Sequence, residues 1–101
     1  MKLGVSTACF YPLETEVSLE NLGKAGIKHT EIFFFFFCEL KQSFVDMLLD
    51  IQSKYGITVA SIHPTMSLAE PFMIFSNYDR RYRGAEEQFR RYSEIAASLG
   101  A

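Results

Sequence analysis

The chain is short of the residues that build several common sites. Its 101 residues include only two cysteines, Cys9 and Cys38, and two histidines, His29 and His63. Two cysteines are too few for a disulfide framework or a four-cysteine zinc site, so reduced thiols in a cytoplasmic protein are expected. There is no glycine-rich phosphate loop, no nucleophile elbow and no paired-histidine helix motif. Cys38 has only its loop position to recommend it as a nucleophile, because a reactive thiol needs a base and a lowered pKa. No apolar run is long enough to span a bilayer. The start, MKLGVSTACFYPLE, has one lysine and no small-residue cleavage site, and does not read as a signal peptide. A net charge of −2 gives no general reason to bind nucleic acid or anionic lipid. What the chain does have is apolar content: at 49% hydrophobic it should fold as one domain with a modest core.

The apolar segments repeat in a pattern. LGVSTACF (3–10) is a strand candidate, and YPLETE follows as loop. Ser18 can cap a helix over LENLGKAG, with Gly26 as its stop. IKHTEIFF reads as a second strand, from about Thr30 to Phe34, and CELKQ as loop. Ser43 can cap the next helix, with Asp46 at its third position and Val45, Leu48, Leu49 and Ile51 on an apolar stripe. Gly56 ends it, and ITVASI (57–62) is the third strand. The loop HPTMSLAEPFMIFSN then leads to a helix from about Asp79 to Leu99, ended by Gly100. In FRRYSE, Phe89 and Tyr92 are expected to tuck inward from a solvated face. The chain thus divides into βα units at about 1–28, 29–56 and 57–101. The fold class is α/β, with parallel strands in the order 1-2-3 and helices on one face. The strands are nearly continuously apolar, as when both faces are covered.

EIFFFFFCEL, with its run from Phe33 to Phe37, falls at the carboxyl end of the second strand. Strands in such folds average about five residues, so Phe35 to Phe37 should spill into the loop. That end of a parallel sheet is where ligands bind. The run is expected to serve two purposes, part core and part pocket mouth, and it is an aggregation hazard.

Few side chains are candidates for chemistry. His63 leaves the third strand in SIHPT, where an imidazole can reach a metal or a substrate hydroxyl. Glu31 lies inside an apolar strand and needs partners, either in a pocket or as a buried pair with an arginine or lysine. His29 shares its face but lies toward the strand's start, the stability end. Arg80 and Arg81 open the third helix, where positive charge is unfavourable unless acidic neighbours or a bound anion compensate.

KLGVSTACFYP, GIKHTEIFF, GITVASIHP and YDRRYRGAEEQFRRYSEIAASLGA together resemble the amino-terminal part of the xylose-isomerase-like TIM barrels, the sugar phosphate isomerases and epimerases. The resemblance implies a partial (β/α)₈ barrel and a parent activity that moves a proton beside a sugar carbonyl. It also implies a divalent metal (Mn, Mg, Co or Zn) whose carboxylate and histidine ligands come mostly from later strands, so this chain alone need hold none. On that resemblance His63 is the candidate metal ligand, and His63, Glu31, Phe35 and Phe37 are candidate contacts to a sugar or sugar phosphate. Arg80 and Arg81 are the candidate anion site. The five phenylalanines depart from the family's mixture of polar and apolar residues at that loop.

Three functions follow. The chain is expected to be an amino-terminal piece of such an enzyme, incomplete alone, since a barrel of this type needs about 250 residues. The alternative is a non-enzymatic βα module that associates with its own copies. An apurinic-endonuclease relative ranks last, because it calls for a basic face and more histidines. The uncovered sheet face and edges point to a homo-oligomer, with neither nucleic acid nor membrane as partner.

Overall fold

The computed structural model describes residues 1–64 and 74–101. Most of the loop after His63 lies outside them. Three strands, β1 (Val5–Ser6), β2 (His29–Phe33) and β3 (Thr58–His63), pair in parallel in the order β1-β2-β3. Helices α1 (Thr15–Lys24), α2 (Gln42–Tyr55) and α3 (Asp79–Leu99) alternate with them. The expected repeat and strand order therefore hold.

Each helix stops by one device. Gly26 and Gly56 take positive φ angles of 79° and 61°, and the next amide, Ile27 or Ile57, reaches back to Leu22 or Gln52. Gly100 repeats it, with Ala101 bonded to Ala96. This is the Schellman closure, which satisfies carbonyls the helix leaves unpaired.

Helix starts and the first strand differ from expectation. Helix α1 begins at Thr15, with Glu14 as N-cap. Ser18 lies a turn inside, and its hydroxyl donates to the Glu14 carbonyl at 2.9 Å. The start is set by Thr15, fully buried, whose hydroxyl donates to Glu39. Helix α2 begins at Gln42, before Ser43, and Gln42 Nε2 donates to Asp46 Oδ1 at 2.9 Å. Strand β1 is two residues long because Ser6 Oγ accepts from the Ala8 amide and turns the chain into a 3-10 helix, Thr7–Phe10. Thr7 Oγ1 then accepts the Phe33 amide at 2.9 Å, in place of a ladder partner.

The core lies on one side of the sheet. Thr30, Ile32, Phe34 and Val59 are buried. The apolar members of this set pack with Leu19 of α1, Val45 and Leu48 of α2, and Tyr92, Ile95 and Leu99 of α3. Glu31 and Phe33, which alternate with them, are only half-buried, and Ala60 and Ser61 are exposed. Among the described residues the sheet is covered on one face, not two. The open face carries His29, Glu31 and Ser61, whose polar groups water can serve.

The carboxyl half of α3 buries Tyr92, but Phe89 is about half exposed, at the edge of the stripe set by Ala85, Tyr92, Ile95 and Leu99. Nor is Arg91 merely solvated: its guanidinium donates twice to the Leu40 carbonyl, at 2.9 and 2.7 Å, tying α3 to the turn before α2.

Candidate functional site

A bulge decides which side chains meet. Thr30 pairs with Val59, but Glu31 pairs with Ser61, leaving Ala60 as an extra residue in β3. Side chains along a strand alternate between faces. With Val59 facing the helices, strict alternation would turn Ser61 and His63 inward and Ile62 outward. The extra residue reverses that phase. Ile62 joins Ile32 beneath the sheet, while Ser61 and His63 join Glu31 and Phe33 on the open face.

There, Ser61 Oγ donates to Glu31 Oε2 at 3.1 Å. His63 Nδ1 lies 3.9 Å from Glu31 Oε1, with each side chain a little over one-third exposed. That separation is too long for a hydrogen bond but leaves an attraction when the imidazole is protonated. Rings continue from His63 along the rim. His63 and Phe33 centroids are 4.3 Å apart, Phe33 and Phe35 4.6 Å, and Phe35 and Tyr11 5.6 Å. A hollow of about 320 Å³ lies beside the cluster, lined by residues including Ser6, Glu31, Ala60 and Ser61.

Glu31 therefore has a hydroxyl and an imidazole as neighbours, rather than an arginine or lysine. It is half-exposed, so its charge needs no buried counterion. His29 lies on the same face at the start of β2.

The phenylalanine run serves two purposes. Phe34 is fully buried, its ring edge-on to Tyr92. Phe33 and Phe35 join the ring stack, while Phe36 and Phe37 are exposed. Phe37 opens the 3-10 helix Phe37–Leu40, outside the stack and outside the hollow beside Glu31.

The two arginines are not brought to this cluster. Arg80 and Arg81 are exposed at the start of α3, with the Arg81 guanidinium 5.7 Å from the Tyr78 ring centre. Asp79 pairs instead with Arg83, at 2.9 Å. Cys9 and Cys38 are exposed free thiols in the turns that follow β1 and β2, on the same rim as His63.

Two residues central to this rim escaped the sequence reading. Glu39, in a stretch read as loop, is buried. Its carboxylate accepts from the Thr15 hydroxyl at 2.7 Å and from the amides of Phe35 and Phe36 at 2.6 and 3.1 Å. Thr7 serves the Phe33 amide in the same way. The available signal was an acidic residue just after an apolar run whose amides leave the sheet and need acceptors.

Comparison of the chain with family models, with curated proteins and with solved structures finds no match.

Glu31 and His63 are two candidate donors to a divalent ion. Ligand bonds near 2.1 Å put adjacent donors of a tetrahedral or octahedral ion about 3–3.4 Å apart, so the observed 3.9 Å would have to close by about half an ångström. A tetrahedral or octahedral ion needs at least two more donors. Among the described residues no third His, Cys, Asp or Glu completes the set.

Proposed function

We propose that the chain forms the first three βα units of a metal-dependent sugar or sugar phosphate isomerase or epimerase barrel of the xylose-isomerase-like kind, and that it is not catalytically complete alone. One observation carries the reading. A carboxylate, a hydroxyl and an imidazole (Glu31, Ser61 and His63) share one open sheet face, with Glu31 midway along β2 and His63 at the carboxyl end of β3, the end at which βα folds bind ligands. In this reading Glu31 and His63 bind sugar hydroxyls, and the Ser61 hydroxyl holds the Glu31 carboxylate in place. The Phe33 and Phe35 rings shield one side of the substrate from water. A divalent ion, when bound, would polarise the sugar carbonyl, with Glu31 and His63 supplying two of its ligands. The exposed thiols of Cys9 and Cys38 fit a reducing, cytoplasmic setting.

The test is titration with manganese, read by paramagnetic broadening of amide signals. Broadening centred on Glu31, Ser61 and His63, and lost in His63→Ala, is expected. Broadening centred elsewhere would refute the reading, and none at millimolar manganese would favour the self-associating module instead.

The second reading, a module that assembles with its own copies, rests on the open face itself. Phe33 and Phe35 are half-buried there and Phe36 and Phe37 exposed beside it. In either reading a partner surface has to cover that face, whether more of the same barrel or another copy.

A further inference from the structure

A second hollow, of about 180 Å³, lies where the chain leaves β1 and β2. Tyr11, Phe35 and Phe36 line it with aromatic rings, Pro12 and Leu13 add apolar surface, and Glu14 and Glu39 bring two carboxylates. None of its lining residues is cationic, and none is Glu31, Ser61 or His63. The Tyr11 and Phe35 rings are tilted 39° to each other with centres 5.6 Å apart, so they form adjoining walls rather than a flat stack.

The formal charges at this wall have one sign. The face of an aromatic ring is the negative end of its quadrupole and attracts cations. Glu14 is exposed and makes no capping hydrogen bond to α1. Glu39 is buried against the same wall, its charge spread over three donors but not removed. The amino end of α1 opposes them with about half a positive charge, which two carboxylates outweigh. An inorganic cation is a poor match, because it needs converging oxygens and those of Glu39 are already engaged. We infer that this hollow binds a small organic cation, a quaternary or alkylated ammonium group, by ring faces and carboxylate charge together.

Choline is the probe, and its neutral carbon isostere, dimethylbutanol, is the control. Amide NMR should show saturable shifts at Leu13, Phe35 and Phe36 with choline at millimolar concentrations, and binding roughly tenfold weaker with dimethylbutanol. Tyr11→Leu and Glu14→Gln should each weaken choline binding several-fold. Both positions are exposed, and unchanged shifts elsewhere would confirm that the fold survives. Equal binding of the two compounds would overturn the inference in favour of a merely apolar hollow. Absence of shifts with choline, or shifts untouched by both variants, would overturn it as well.

Discussion

Glu39 takes three hydrogen bonds from groups that the sheet no longer serves once β2 ends. Glu39→Ala would remove the carboxylate that the Phe35 and Phe36 amides reach, and would leave the Thr15 hydroxyl only its longer contact to the Phe33 carbonyl at 3.3 Å. Hydrogen bonds to a charged group contribute about 1.5–3 kcal/mol each, partly replaced by water here, so a loss of about 3 kcal/mol is expected in urea unfolding. A loss below about 1 kcal/mol would mean that water serves these groups equally well. Gly23 is a second case in which one atom matters. A Cβ there would lie 2.4 and 2.6 Å from ring atoms of Tyr55 and 2.8 Å from its Cβ. The ring cannot swing away freely, since its hydroxyl donates to Glu20 at 3.0 Å. Alanine gains about 1 kcal/mol in helix propensity, but overpacking costs about 1–3 kcal/mol. Gly23→Ala is therefore expected to destabilise the fold, and a rise in urea midpoint would contradict the packing argument.

Between elements, the bulge at Ala60 has the largest consequence. Deleting Ala60 removes the extra residue, so Ser61, Ile62 and His63 should follow Val59 in simple alternation and keep the faces they now have. Contacts between the His63 and Phe33 rings should persist in NOE spectra; their loss would show that the pairing of Glu31 with Ser61 does not survive without the bulge. Helices α1 and α2 are also joined by charge. Glu20 on α1 accepts from Lys54 and from the Tyr55 hydroxyl on α2. These bonds, Lys54 first, with the charge of Lys24, hold the Glu20 carboxyl below its ordinary 4.5. Glu20, in turn, raises the Lys54 ammonium above its ordinary 10.5. The carboxylate's contribution is fully present above pH 4.5 and is lost as pH falls through its depressed value. The ammonium's contribution is fully present below pH 10.5 and is lost as pH rises through its raised value. Both groups are open to solvent, so the effect is small and screened by salt. The stability difference between wild type and Glu20→Gln should be positive at neutral pH and close to zero in strong acid. A difference that persists there would assign the Glu20 effect to packing.

For the whole molecule, the sheet face left open among the described residues is expected to govern behaviour in solution. Each large apolar side chain left in water forgoes roughly 1.5–3 kcal/mol of burial, and several together approach the whole stability of a small domain, about 5–15 kcal/mol. Phe33 and Phe35 lie on that face, and Phe36 and Phe37 are exposed beyond it. The chain is expected to sediment as a dimer or larger species at micromolar concentration. Replacing Phe35 and Phe37 by serine should weaken association more than it lowers helix content by circular dichroism. A well-folded monomer at high micromolar concentration would rule the assembly out.

The sequence by itself determined the βαβαβα order, the parallel sheet, the span of α3 and the three helix ends. These follow from hydrophobic period and from glycine's tolerance of positive φ, which act over a few residues and are written locally. It also placed His63 at the ligand end of its strand and Glu31 inside the strand beside it. Tertiary structure decided the rest. Strand β1 stops early where Ser6 turns the chain and Thr7 takes up the distant Phe33 amide, and α1 starts early at Thr15, whose hydroxyl meets Glu39 from another segment. The face on which Ser61 and His63 stand depends on one unpaired residue in the register between β2 and β3. Register is a relation between two strands, so no period within VASIH reveals it. The open-face cluster exists because of that relation, and its residues acquire a shared surface only when the strands pair.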